Sequence, residues 1–220
     1  MKKLMVLALF CSFAAIGFAQ VGIKAGASLS TISEEGEGFS SEDVDRNSIV
    51  TPVVGLTFDL NLSDIITIQP ELLYSQSGGK NVYNVLGTTT DASYRINYLE
   101  LPVLFKVKVG NEDLDGVGVH LAAGPWVGYA FSGKSRVITT ADGTVLFDTE
   151  RDFTFDDEDD AKRLNYGMIG AAGVSFGHMV LDLRYNYGFN NLLDNDADND
   201  NDNKPVRQTR GVALTLGYTF

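Results

Sequence analysis

From residue 20 onward the chain alternates large apolar residues with small or polar ones at a period of two, in eight separate stretches. The last is the clearest. Across 211–220, Val212, Leu214, Leu216, Tyr218 and Phe220 share one parity, while Gly211, Ala213, Thr215, Gly217 and Thr219 share the other. A period of two is the repeat of a β-strand with two unlike faces. The non-apolar face here carries no charge. That suits a narrow enclosed lumen better than open water, so the pattern predicts a transmembrane β-barrel closed by this strand.

Seven earlier stretches supply the other strands. Segment 20–30 sets Val21, Ile23 and Leu29 against Gly22, Lys24 and Gly26, and 49–62 sets Val54, Leu56 and Phe58 against Gly55, Thr57 and Asp59. In 65–75, Ile66, Ile68, Leu72 and Tyr74 oppose Thr67, Gln69, Glu71 and Ser75. Pro70 falls in mid-strand there, where its missing N–H predicts a bulge or counts against a strand. In 93–109, Leu99, Leu101, Val103 and Phe105 oppose Glu100, Pro102, Leu104 and Lys106; in 117–131, Val119, Leu121 and Val127 oppose Gly118, His120 and Trp126. Segments 163–176 and 179–190 complete the set, the latter opposing Leu181, Leu183 and Tyr185 to Asp182 and Arg184.

The connections alternate in length. Short turns fall at 61–64, 110–116 and 177–178; long polar stretches fall at 31–48, 76–92, 132–162 and 191–207. Within 132–162, two short alternating runs flank Ala141-Asp-Gly143 and predict a hairpin standing beyond the barrel. Short turns at one end and long loops at the other are the signature of an all-β, eight-stranded, antiparallel up-and-down outer-membrane barrel, with both termini at the short-turn end. A secreted soluble barrel or sandwich is the alternative architecture.

The first nineteen residues change the setting. Lys2 and Lys3 precede an apolar run to Phe18, and Gly17-Phe-Ala19 offers small residues for cleavage before Gln20. Residues 1–19 are therefore expected to be a cleaved signal peptide, too short to span a bilayer as a helix. An uncleaved N-terminal anchor is the competing reading. Residues 20–220 form one barrel domain. The one cysteine, Cys11, falls inside the leader, so the mature chain has no disulfide framework and no thiol nucleophile. The formal charge is −12, and loss of Lys2 and Lys3 takes it to −14. That balance excludes a nucleic-acid partner, which needs a basic footprint.

Charges inside the strands are the sharpest chemical signal. Lys24, Asp59, Glu71, Glu100, Lys106, His120, Asp182 and Arg184 all lie opposite the bulky face. A cationic residue at the lipid midplane costs about 2–4 kcal/mol, so these side chains are expected inside. There they are expected to pair, Glu71, Glu100 and Asp182 with Lys24, Lys106 and Arg184, because an unpaired buried charge is costly. The small face of 211–220 leaves room for this network. Paired, the charges fill a lumen too narrow for a channel; unpaired, they would line a narrow pore, a proton path or a small-ligand site. Trp126 points inward by phase and reads as lumen filler. Tyr74, Tyr94, Tyr98, Tyr129, Phe131, Tyr166, Tyr185, Tyr187, Tyr218 and Phe220 cluster near strand ends and read as interfacial girdles. Catalysis would need a nucleophile, a His base and an acid in reach. Ser175 and His178 lie across a tight turn without an evident acid, so no enzyme is expected.

Asp194, Asp196, Asp198, Asp200 and Asp202 alternate as hard oxygen ligands do at the start of a calcium loop. Asn199 and Pro205 occupy the positions of the loop glycine and the bidentate glutamate. Weak calcium binding competes there with a solvated acidic loop, as it does at Phe155-Asp-Asp-Glu-Asp-Asp160, and no other cofactor is expected. Such loops could share divalent cations with anionic lipopolysaccharide.

Several stretches resemble the small outer-membrane barrels of Bacteroidetes known as the PorT-like or outer membrane protein β-barrel domain family. They are Gly22-Ile-Lys-Ala-Gly26, Ile68-Gln-Pro-Glu-Leu-Leu-Tyr74, Tyr98-Leu-Glu-Leu-Pro-Val103, Ala123-Gly-Pro-Trp-Val-Gly-Tyr129, Leu183-Arg-Tyr-Asn-Tyr-Gly188 and Leu216-Gly-Tyr-Thr-Phe220. The resemblance spans 20–220 and covers the mid-strand prolines Pro70 and Pro102. It implies that Phe220 is the signal read by the barrel insertion machinery. The barrel is expected to be a monomer in outer-membrane lipid and lipopolysaccharide. Some members of the group serve secretion or gliding; these motifs do not assign such a task, and no surface protein partner is named by them.

Overall fold

The computed structural model describes residues 19–35, 44–85, 88–109, 116–141, 143–153, 163–190 and 206–220. The expected leader, up to residue 18, and the aspartate run 194–202 lie outside the described residues. The described strands are β1 Gln20–Glu35, β2 Val44–Asn47, β3 Ile49–Asn61, β4 Ile66–Val85, β5 Thr88–Val109, β6 Val117–Ala141, β7 Thr144–Phe153, β8 Leu164–Phe176, β9 Met179–Gly188 and β10 Val206–Thr219. Every pairing is antiparallel. Eight strands close a ring in the order β1-β3-β4-β5-β6-β8-β9-β10, and β10 returns to β1. The seam runs from Gly22 opposite Thr219 to Glu35 opposite Val206. The Phe220 N–H extends it by donating to the Val21 carbonyl at 2.9 Å.

Alternation within the strands sets the two faces of the wall. Outward positions such as Leu121, 55% exposed, stand away from the protein, whereas inward Glu71 is 2% exposed. Apolar outside and charged inside is the reverse of a soluble domain, and it gives the wall a lipid-compatible surface. At the long-loop end Tyr74 packs on Phe131 (centroids 6.2 Å apart) and Tyr187 on Phe189; at the other end Tyr218 meets Phe220 edge-on at 5.3 Å. Aromatic rings at both rims match the interfacial belts of such barrels. Tyr98 is the exception to the expected girdle. It shares the parity of Glu100, is 1% exposed, and packs inside against Ile96 and Ala130.

The turns and loops are shorter than the sequence suggests. Residues 76–92, expected as a polar loop, continue as strand: β4 runs to Val85 and β5 starts at Thr88, with Gly79 opposite Tyr94 and Asn84 opposite Thr89. The polar composition there marks a strand leaving the bilayer, where both faces meet water. β6 likewise continues to Ala141 and turns through Gly143, at φ 79°, into β7, which is the hairpin expected around Asp142-Gly143. β2 pairs with β4 and β7 with β6, so both stand outside the ring. At the opposite end β8 turns into β9 through Gly177 at φ 57°, a left-handed conformation that a side chain disfavours.

Pro70 brings no bulge. The ladder passes from Thr57 opposite Glu71 to Leu60 opposite Ile68, and from Pro70 opposite Val103 to Leu73 opposite Glu100, three residues on each strand. The proline omits hydrogen bonds but leaves register unchanged, so the inward parity of Glu71 survives. The bulge lies instead at Phe131, between Asn97 opposite Ser132 and Tyr98 opposite Ala130. There the lipid-facing part of β6 gives way to its extramembrane part.

Candidate functional site

The inward charges come from alternate strands. Around the ring, Lys24 is on β1, Glu71 on β4, His120 on β6, and Asp182 and Arg184 on β9, with one strand skipped between each and the next. Side chains from every second strand meet at one level in a closed barrel, because the stagger raises neighbouring strands out of that layer. The skipped strands offer small residues at the same height. Lys24 lies opposite Gly55 on β3 and Gly217 on β10; Asp182 lies opposite Gly173 on β8 and Thr215 on β10. A Cβ on Gly173 would stand 2.6 Å from the His120 ring. That glycine is therefore the space in which His120 reaches Asp182.

The layer is one connected network. The Lys24 ammonium donates to Glu71 Oε1 and to Asp182 Oδ2, each at 2.8 Å. Arg184 Nη2 donates to Glu71 Oε2 at 2.7 Å, and His120 Nε2 lies 2.7 Å from Asp182 Oδ1. All four carboxylate oxygens of Glu71 and Asp182 are thus engaged, and the chain Arg184–Glu71–Lys24–Asp182–His120 crosses the lumen. Five of the eight charged positions singled out in the sequence meet here. The other three are arranged differently. Lys106 faces Asp59 at 3.8 Å in a separate pair. Glu100 accepts from Ser75 Oγ at 2.5 Å, in place of the expected hydrogen bond from Lys24, Lys106 or Arg184.

A second filling is built on Trp126, which its phase placed inside as lumen filler; its apolar partners were not anticipated. Trp126 packs inside with Leu104, Ala122 and Ile169. These come from β5, β6 and β8, neighbours on one side of the ring. The signal was present: Leu104 shares the parity of Lys106, and Trp126 that of His120. Asn165 Nδ2 donating to Thr209 Oγ1 at 3.0 Å adds a further interior contact.

Toward the short turns the lumen opens into a cavity of about 300 Å³ lined by Gln20, Asp59, Lys106, Lys108, His120 and His178, among others. Ser175 borders it as well. His178 uses Nδ1 on the Thr219 carbonyl at 2.9 Å and stacks on Tyr218. That ties the imidazole to the wall. Beyond the rim at the long-loop end, Arg136 donates to Asp148 at 2.6 and 2.9 Å and Lys134 to Glu150 at 2.7 Å along the exposed β6–β7 hairpin. The hydrogen bond from Arg136 holds the Asp148 carboxyl below its ordinary range, and Lys134 does the same for Glu150.

A closed ring of antiparallel strands, apolar outside, charged within and belted at both rims, is an integral β-barrel of the bacterial outer membrane. The chain belongs to the outer membrane protein beta-barrel domain family, whose model matches residues 12–194. None of the curated proteins matches it. Among solved structures it is similar to neisserial surface protein A (NspA), at 14% identity over 91% of this chain and 97% of that one, with a TM-score of 0.43. It is similar to OprG from Pseudomonas aeruginosa at 13% identity, over 92% and 96% of the two chains, with a TM-score of 0.43. Ail, the attachment invasion locus protein of Yersinia pestis, shares 12% identity over 92% of this chain and 99% of that one, with a TM-score of 0.37.

Proposed function

We propose that this protein is a closed outer-membrane barrel whose role lies at its surface, structural or adhesive, and not in conduction or catalysis. The observation that carries the reading is the network of Lys24, Glu71, Asp182, Arg184 and His120, drawn from four strands spaced around the ring. Ion pairs span a lumen already narrowed on one side by Trp126, Leu104 and Ile169, which supports a closed barrel. The motifs quoted for the PorT-like group support placing the chain there. The same resemblance supports insertion through recognition of Phe220; a monomeric state and contact with lipopolysaccharide complete the proposal. Acidic loops sharing calcium with that lipid, through Asp194, Asp196, Asp198, Asp200 and Asp202, belong to the same proposal.

The test is conductance of the purified, folded barrel in planar bilayers. A closed barrel gives no stepwise single-channel current; discrete, reproducible openings would refute the closed lumen and favour a narrow pore. Extraction behaviour gives a second check. Family membership requires detergent for solubility, and the surface role predicts that trimming the loops leaves folding intact.

A further inference from the structure

We infer that the cavity at the short-turn end is a binding site for a small free oxyanion of phosphate or carboxylate type, held by Lys106. This goes beyond the surface role and does not depend on it. Lys106 is 6% exposed and lines the cavity. Among the described residues, the ion contact of its ammonium is Asp59 at 3.8 Å, beyond hydrogen-bond reach. An ammonium carries three donors, and Asp59 at that distance meets none of them. Asp59 does not resolve this, since its Oδ1 is itself enclosed without a hydrogen-bond partner. The cavity supplies what the pair lacks. Lys108 and the amides of Gln20 and Asn61 line it beside Lys106, so donors converge on a volume of about 300 Å³. A compact oxyanion accepting from Lys106 would complete its donors, and a charge-assisted contact in a partly dry site is stronger than one in water. The inner wall is the charged layer, with His120 facing both. The site is therefore blind, a place to bind and not a passage.

The experiment uses the full folded barrel in a neutral detergent, with inorganic phosphate as the probe and acetate as the carboxylate arm. Chloride at matched ionic strength is the control. Phosphate line width and calorimetry read saturable binding, and barrel folding is checked by gel mobility. Lys106→Met is expected to weaken binding about tenfold or more, the loss of one charge-assisted contact. Asp59→Asn, which frees Lys106 from its opposing carboxylate, is expected to tighten it. Lys134→Met, on the external hairpin, leaves it unchanged. Opposite signs for the two lumen variants keep the test decisive if one of them folds poorly. Absence of saturable binding of either probe to the wild type, equal affinity in Lys106→Met, or weakening in Asp59→Asn overturns the assignment.

Discussion

Replacing Glu71 by Gln removes one charge and almost no volume, so it isolates the electrostatic work of the lumen. The Glu71 side chain is 0% exposed, and each of its oxygens carries one cation, Lys24 at 2.8 Å and Arg184 at 2.7 Å. After substitution Lys24 keeps Asp182, whereas Arg184 loses its carboxylate, and its Nε and Nη1 already lack partners among the described residues. Breaking a buried pair by removing one member costs about 3–5 kcal/mol. With one cation stranded and the other still paired, the expectation is the lower end, about 3 kcal/mol. Lys24→Met provides the internal comparison. It leaves Glu71 with Arg184 and Asp182 with His120, but two charge-assisted hydrogen bonds are lost, and at about 1.5–3 kcal/mol for each a loss of about 3–6 kcal/mol is expected. Reversible urea unfolding from lipid vesicles, read by gel mobility and Trp126 fluorescence, measures both. A Glu71→Gln loss under about 1 kcal/mol, the size of an exposed ion pair, would mean that water screens the layer, and the closed lumen would fall with it.

Trp126 is the one tryptophan in the chain and points into the lumen. Its emission should be blue-shifted and resist quenching by brominated lipids, and Trp126→Ala should cost about 3–5 kcal/mol; strong lipid quenching would place the ring outside. Leu121→Arg, at an outward position of β6, should destabilise the inserted barrel by about 2–4 kcal/mol if that face meets the bilayer midplane. A neutral result in vesicles would contradict the assigned lipid face. On the β6–β7 hairpin the bond from Arg136 lowers the Asp148 pKa below its ordinary 3.8. A depressed carboxylate contributes above its unfolded pKa, and that contribution fades as pH drops through the folded value. Amide exchange of Val137 and Thr149 should therefore be faster in Asp148→Asn than in wild type at pH 7, with the difference shrinking as pH falls below 3.8 and gone once Asp148 is protonated in the folded barrel; a difference that grows in acid would refute the sign.

The barrel was legible because parity is a cheap code. A single rule, bulky outside and small or charged inside, assigned Lys24, Glu71, His120, Asp182 and Arg184 to one face without reference to their partners. Strand ends were less legible. Past the bilayer both faces meet water, so the alternation of 76–92 weakens although the ladder continues through Tyr83 and Thr90. Pairing inside the lumen was the least legible part, since it depends on stagger between strands that are distant in sequence. Parity could not say that Lys106 faces Asp59, or that Glu100 takes the hydroxyl of Ser75. Tyr98 was misassigned by weighing aromatic type and position at a strand end over parity, and parity was correct.

Drawing the charged layer from strands that are not neighbours has a kinetic consequence. Lys24 and Asp182 are separated by 158 residues, and Glu71 and Arg184 by 113. No hairpin can form these contacts by itself. The Lys24–Asp182 contact comes into being when β1 meets β10, so it is a clasp on ring closure, unmade in any open intermediate, whereas Lys24–Glu71 and His120–Asp182 link strands on one side of the seam. Such high contact order argues for slow, late and cooperative consolidation. Until then the inner faces of β1 and β9 lack that ion pair. An unclosed sheet is thereby kept from settling in lipid, and the closed barrel is the first state in which every strand is compatible with the membrane.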